Sequence, residues 1–156
     1  TSQRQEKVRR YTVLIMNIRR FELDDLNRGF LETLACLRPV DLTPESAKLA
    51  YNGYISDSNS RIYIVEDEGK IMACGTLLLE YKFLYGFSSI AHLEDIVVHE
   101  DHQGRSIGGL LVDHLIAEAK RLGCYKVILD CSKDLVGYYE RFGFNKSDVH
   151  MRLNLD

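Results

Sequence analysis

The sequence predicts an α/β protein of the α+β kind, a mixed sheet covered by helices. Three observations lead there. Residues 93–98 read as a buried strand that runs into a glycine-bearing turn at 103–109. Beyond it Ile107, Leu110, Leu111, Leu115, Ala119 and Leu122 recur at helical spacing, and residues 126–131 form a second apolar strand. Strand, helix and strand in that order demand neighbouring parallel strands with the helix packed over one face. Residues 61–66 and 70–80, in contrast, are strands joined only by Asp67, Glu68 and Gly69, a link so short that an antiparallel hairpin is the simplest pairing. Finally, 156 residues fit one domain, 1–156, able to bury roughly 68–70% of the surface the unfolded chain exposes.

The remaining elements follow from local chemistry. Residues 12–18 are rich in strand formers, and Asp24 or Asp25 then offers a cap to a helix running through Leu26, Phe30, Leu34 and Leu37 until Pro39 stops it. A second helix is predicted over 44–54, with Thr43 as N-cap, Pro44 as first helical residue and Glu45 facing the positive end of the helix dipole. Residues 57–60 and 86–89 are loops. Gly123 is the C-cap of the helix over 106–122, a short helix over 135–142 ends at Gly143, and a last strand is predicted over 149–155.

Composition excludes several classes. Apolar residues make up 46% and charged residues 28%, as in an ordinary globular protein, and a formal net charge of −3 gives no electrostatic argument for nucleic acid or anionic membrane as partner. No apolar run approaches the roughly 20 residues of a membrane span and no signal peptide is visible, so the chain is expected to be soluble and intracellular, in the cytoplasm, with an organelle left open. Cys36, Cys74, Cys124 and Cys131 form no CxxC pair and are expected to be reduced, buried thiols. The five histidines show no metal-ligand spacing with them, and no metal is expected.

A glycine turn at a helix N-terminus binds anions, because unpaired backbone N–H groups and the helix dipole meet there. Here Gln103, Gly104, Arg105, Ser106, Ile107 and Gly108 resemble the Q/R-x-x-G-x-G/A signature by which acetyltransferases of the GNAT superfamily hold the pyrophosphate of coenzyme A. The later strand and the YERFGF segment, Tyr139 to Phe144, are similar to that superfamily's next elements and come in its order. Finer resemblance points to one family. HLEDIVV, GCYKVILDC and GYYERFGF resemble the eukaryotic glucosamine 6-phosphate N-acetyltransferases over about residues 18–151. The resemblance implies the GNAT fold, a central mixed, mostly antiparallel sheet with helices on both faces. It also implies acetyl transfer from acetyl-CoA to the amine of glucosamine 6-phosphate, on the route to UDP-N-acetylglucosamine. The implied route is direct transfer in a ternary complex, without metal.

The roles it implies can be set beside what the residues suggest alone. Backbone groups of Ile96, Val97 and Val98 would meet the acetyl and pantetheine part of the cofactor, and Gln103, Gly104, Arg105, Ser106, Ile107, Gly108 and Gly109 would hold the pyrophosphate. Each bond to a charged oxygen there contributes about 1.5–3 kcal/mol. Tyr139 matches the position whose hydroxyl lies beside the coenzyme A sulfur, as general acid, while Tyr138 is expected to fill the packing role. Glu94 and Asp95 are adjacent acids in an apolar strand, so they point to opposite faces and at least one must meet something polar. The resemblance places both, with Asp130, at the sugar site, and proton removal would pass through Glu94 or water. Lys82 and Lys126 lie at positions near the sugar phosphate, and Tyr85 and Tyr125 beside them complete the substrate-binding set.

The chain departs from the pattern. Ser106 replaces the middle glycine, Tyr85 stands where relatives can carry histidine, Arg38 where they can carry threonine, and Asn154 near a C-terminal arginine position; Arg38 or Arg152 could supply the missing cation. Relatives are typically homodimers whose C-terminal strands meet and whose sugar sites draw on both chains, and the alternating Val149, Met151, Leu153 and Leu155 suit such a strand, although packing within one subunit explains the same pattern. Two alternatives stay open at this point: a GNAT enzyme for another small amine or a protein N-terminus, and a noncatalytic acyl-CoA sensor.

Overall fold

The computed structural model of the protein describes residues 16–155. Its sheet grows outward from a hairpin. β2 (Ser60–Asp67) and β3 (Lys70–Tyr81) pair antiparallel, and Glu68 and Gly69 between them both take positive φ, 49° and 78°, the mirror-image turn whose twist matches that of the strands it joins. β1 (Asn17–Arg20) adds antiparallel to β2, and β4 (Ser89–Val98) adds antiparallel to β3. β5 (Cys124–Leu129) then lies parallel to β4, giving the order β1-β2-β3-β4-β5. The one parallel pair is the one joined through a helix, α3 (Ile107–Arg121), as a crossover requires.

Each face of the sheet buries its own cluster. On one, Leu77, Leu79, Ala91 and Leu93 pack against Ile107, Leu111, Leu115 and Ala119 of α3. On the other, Ile64, Ile71, Cys74 and Val97 meet Phe21 and Phe30, with Leu34, Tyr51 and Tyr54 at the margin. These come from α1 (Phe30–Ala35), α2 (Pro44–Ser56) and the segment before them. The α2 cap is as its sequence suggests: Thr43 Oγ1 accepts from Ser46 N–H at 3.2 Å, with Pro44 at the first helical position.

Several expectations need correction. The first strand begins at Asn17, and the part predicted over 12–15 lies outside the described residues. The single helix through Leu26 and Leu37 is broken in two: a 3₁₀ turn, Leu23–Asn27, precedes Gly29, whose φ of 94° no α-helix contains, and α1 restarts behind it. Asp25 caps that turn instead of a long helix; its buried carboxylate takes two bonds from the Arg19 guanidinium, at 2.7 and 2.8 Å, and one from Glu22 N–H at 2.8 Å. Of the four cysteines only Cys74 is fully buried, Cys124 is half-buried, and Cys36 and Cys131 are exposed; all four are free thiols. The strand predicted over 149–155 is not formed. Val149, Met151, Leu153 and Leu155 are 83–89% exposed. Alternation specifies an apolar face, but a strand also needs a neighbouring ladder, and this segment has none within the described chain.

β4 contains the irregularity that matters most. Thr76 pairs with Glu94 and Cys74 with Val97, so Gly75 alone stands opposite Asp95 and Ile96. This is a bulge, and Asp95 occupies it with φ of 49°. One extra residue inverts the alternation: Ala91 and Leu93 face α3 before the bulge, whereas Ile96 and Val98 do so after it and Val97 turns to the opposite cluster. Pairing of β4 with β5 stops at Leu93 and Leu129, although β4 runs on to Val98. The two strands therefore part company at the bulge, and a gap opens between their C-terminal ends.

Candidate active site

The gap is closed at one end by the turn that leads into α3. His99 N–H bonds back to Met72 O at 2.8 Å, so by the alternation of backbone groups along a strand the polar groups of Val98 face the other way, toward the gap. Gln103 confirms that direction by donating its side-chain N–H to Val98 O at 3.4 Å. Gly104 and Ser106 both lie in the left-handed region, with φ of 77° and 62°, and between them they curl the chain around the helix start. The first amides of α3, those of Ile107, Gly108 and Gly109, have no acceptor within the helix. A cavity of about 310 Å³ opens here, lined by Val98, Gln103, Gly104, Ser106, Gly108 and Gly109 together with Tyr138 and Arg141. Space at Gly108 is tight: a Cβ there would lie 3.0 Å from the Tyr138 hydroxyl and 3.4 Å from Val98, so Tyr138 would have to shift to admit it.

The predicted cofactor residues divide by this geometry. Ile107 is buried in the α3 core cluster, so only its backbone is available to a ligand, and the side chain of Val97 packs on the far face of the sheet. The Arg105 guanidinium lies beside His102 Nδ1 at 3.3 Å and Met72 Sδ at 4.0 Å. Three residues that line the cavity, His102, Tyr138 and Arg141, escape the sequence reading. Tyr138, expected to fill a packing role, presents its hydroxyl at the cavity wall, and Arg141 holds its guanidinium 4.9 Å from the Tyr138 ring centre. The signal for Arg141 is present in YERFGF, since three residues on from Tyr138 is a little under one helical turn and places residue 141 on the same side.

Tyr139 lies behind Tyr138 on the short helix α4 (Val136–Glu140), 9% exposed and packed edge-on to Tyr138 and Phe144 at 5.1 and 5.9 Å between ring centres. Burial, with smaller contributions from Tyr138 and Cys131, pushes its hydroxyl up to about 12. Throughout the neutral range Tyr139 is therefore a proton donor and never a base.

The acids collect at the mouth of the gap. Glu94 is half-buried, and burial together with the like charges of Asp95 and Asp130 raises its carboxyl above the usual range. Asp130 immediately follows β5, and its carboxylate faces His150 Nδ1 at 3.0 Å. Because Leu77, Leu79, Ala91, Leu93, Val127 and Leu129 face α3, the alternate residues Glu80, His92, Glu94, Lys126, Ile128 and Asp130 occupy the opposite face of the sheet. Lys126 pairs with Ile90 four residues upstream of Glu94, so this lane runs about 13 Å from cation to acids at 3.3 Å per residue. Lys82 enters it already engaged: its ammonium contacts Glu80, whose other oxygen meets His92 Nε2 at 2.8 Å. Tyr85 packs against Tyr125 with the rings tilted at 42° and their centres 4.8 Å apart, and Lys126 lies 5.7 Å from the Tyr125 ring. The substrate candidates thus form two groups on one face, acids at the bulge and lysines with tyrosines at the far end. Among the described residues no group of three or more histidines, cysteines or acids is gathered that could hold a metal ion. No described helix is long and apolar enough to cross a membrane.

A mixed sheet split by a bulge, with a glycine turn and helix N-terminus beside the split, defines a class. The family model of the acetyltransferase (GNAT) family matches residues 24–144, and the chain belongs to that family. Within it the chain belongs with the glucosamine 6-phosphate N-acetyltransferases. It is 33% identical to glucosamine 6-phosphate N-acetyltransferase 1 of Dictyostelium discoideum over 143 residues, covering 90% of this chain and 91% of the relative. The Candida albicans enzyme of that name is 36% identical over 85% of this chain and 91% of its own length. The crystal structure of the Arabidopsis thaliana glucosamine-6-phosphate N-acetyltransferase superimposes with a TM-score of 0.85 at 34% identity, covering 90% of this chain and 99% of that one.

The cavity makes a direct prediction. Gly108→Val puts branched carbon where Tyr138 and Val98 already stand, and coenzyme A affinity measured by titration calorimetry should fall at least about tenfold, ~1.4 kcal/mol, with the thermal unfolding transition intact. Undiminished affinity would show that the ligand does not enter this cavity.

Proposed function

We propose that the chain transfers the acetyl group of acetyl-CoA to the amine of glucosamine 6-phosphate, releasing N-acetylglucosamine 6-phosphate and coenzyme A, a step toward UDP-N-acetylglucosamine. The observation that supports this most is the juxtaposition at the bulge. An amide-lined cavity suited to a pyrophosphate and a set of three carboxylates suited to an amino sugar open on the two sides of one strand. The names of the relatives point to the same substrate.

In this reading the loop of residues 103–109 and Arg141 hold the pyrophosphate, and the acyl-pantetheine arm lies along Ile96 to Val98 in the gap. The Val98 N–H, or that of Ile96, polarises the thioester carbonyl and stabilises the oxyanion of the tetrahedral intermediate. The amine reaches the carbonyl from the side of Glu94, Asp95 and Asp130, which accept hydrogen bonds from the sugar's amine and hydroxyls. The sugar phosphate lies toward Lys126 and Lys82, and the 13 Å lane is long enough for a hexose phosphate plus the reach of a lysine side chain. Tyr139 donates a hydrogen bond to the departing sulfur. Since its hydroxyl is a weaker acid than a thiol, its contribution is to stabilise the thiolate as charge develops, and the proton that finally neutralises the sulfur is replenished through it. The reaction is direct, with both substrates bound together.

A second copy of the chain completes this reading. The exposed apolar positions Val149, Met151, Leu153 and Leu155 form one edge-ready face, and we take it as the contact between two chains. A monomeric mass independent of concentration, by light scattering, would rule that contact out.

The decisive assay follows thiol release with glucosamine 6-phosphate, glucosamine, a polyamine and a peptide N-terminus as acceptors. Turnover should be largest with glucosamine 6-phosphate, with the unphosphorylated sugar binding at least about tenfold more weakly for want of a charge-assisted phosphate bond. Equal use of both sugars would remove the phosphate site. Tyr139→Phe should lower the transfer rate about 10²-fold, equally across the neutral range because Tyr139 does not titrate there, with coenzyme A affinity unchanged. Wild-type turnover in that variant would take Tyr139 out of the mechanism.

A further inference from the structure

An amino sugar reaches this enzyme mostly as an ammonium ion, and nitrogen without a lone pair cannot attack a thioester. Some group must take a proton first. The acids at the bulge are poor candidates, because a carboxylate titrates far below an amine even when burial and neighbouring charge raise it, as they do for Glu94. An imidazole titrates much closer to an amine, so the same transfer to it is less uphill.

One imidazole meets this cluster from outside the sheet. His150, on the segment that follows α4, brings Nδ1 within 3.0 Å of Asp130 Oδ2. The negative carboxylate so close to Nδ1 favours the ring tautomer with its proton on that nitrogen, which leaves the lone pair of the neutral ring on Nε2. Besides this pair, the charged and titratable groups that act on Glu94 are Asp95 on the bulge and His92 on the same face of β4. Both Asp130 and His150 act on Glu94, the one raising it and the other lowering it, so carboxylates and imidazole occupy one electrostatic neighbourhood. The sequence pattern agrees. In 149–155 the apolar residues take the odd positions, leaving His150 and Arg152 on the other side of an extended chain.

Resting on the proposed acetyl transfer to an amino sugar, we infer that His150, oriented by Asp130, is the general base that accepts the first proton from the substrate ammonium at Nε2. The N–H bond of the ammonium breaks as the Nε2–H bond forms, and the freed electron pair attacks the thioester carbonyl carbon. When the carbon–sulfur bond breaks, the second amine proton is lost and the sulfur gains one by way of Tyr139. The imidazolium then gives its proton to solvent. One amide, one thiol and one released proton balance one ammonium and one thioester. Glu94 and Asp95 orient the ammonium and leave the proton to the imidazole.

The test uses the full chain and two variants. His150→Asn keeps a nitrogen donor toward Asp130 but cannot titrate; His150→Ala removes the contact and leaves room for free imidazole. Thiol release from glucosamine 6-phosphate is measured across a pH range that spans deprotonation of the amine. In both variants kcat/KM should fall about 10²-fold at neutral pH and climb back toward the wild-type value at alkaline pH, where the amine arrives already neutral. Added imidazole should rescue His150→Ala in the neutral range, and the KM for acetyl-CoA should not move. Wild-type profiles in the variants would overturn the assignment, and so would a loss of equal size at every pH, which is the mark of a merely structural contact. A wild-type chain that fails to acetylate glucosamine 6-phosphate at any pH would instead overturn the proposed function, leaving the two failures distinct.

Discussion

One extra residue in β4 makes the rest of the site possible. Asp95 has no counterpart on β3, and the strand accommodates it by bending, so that β4 and β5 cannot stay paired beyond Leu93 and Leu129. A parallel pair that zipped to its end would have no backbone groups to offer and no space between strands. The bulge supplies both. It frees the polar edge of β4 around Val98 and turns Ile96 and Val98 toward the α3 side, where the helix N-terminus brings its own unpaired amides. The same irregularity leaves Glu94 and Asp95 at the mouth of the opening.

The packing around the bulge explains why it can persist. Gly75, opposite it on β3, leaves room for Leu111, Leu115 and Ile96; a Cβ there would come within 3.2–3.3 Å of all three. The α3 core thus presses directly on the irregular stretch, with Leu111 and Leu115 fully buried. A helix seated so close is also a helix held in place. Its N-terminus cannot drift from the gap without opening the cluster formed by Leu77, Leu93, Ile107 and Leu111. Core and site are therefore built together, and Gly108 extends the contact by letting Tyr138 approach the first turn of α3.

The hairpin, the crossover and the cap of α2 were legible because each depends on neighbours in sequence: a Glu-Gly turn, an apolar stripe at helical spacing, a Thr-Pro start. The bulge was not legible as a bulge. Reading residues 93–98 as a regular strand assigns Leu93 and Val97 to one face, and only the adjacent acids Glu94 and Asp95 hinted that the alternation fails. The GNAT fold itself was readable from the glycine turn and its flanking elements, and the family match agrees. Of the candidate site, the positions of Gln103 to Gly109 were readable because an anion turn is local. The parting of Tyr138 from Tyr139, one at the cavity wall and one behind it, was not, since it depends on where α4 lies against α3. The C-terminal segment shows the limit most plainly, because its alternation says which face is apolar and nothing about what will cover it.

Asp95 and Ser106 are both non-glycine residues in the left-handed region, a conformation that costs of order 1–3 kcal/mol at each. Glycine would relieve that strain at either position at once. At residue 95 the relief would also erase a carboxylate from the cleft. Two of the chain's left-handed residues thus stand at the gap itself, one where β4 parts from β5 and the other where the turn curls into α3, so each side of the cleft takes its shape from a conformation that side chains rarely adopt.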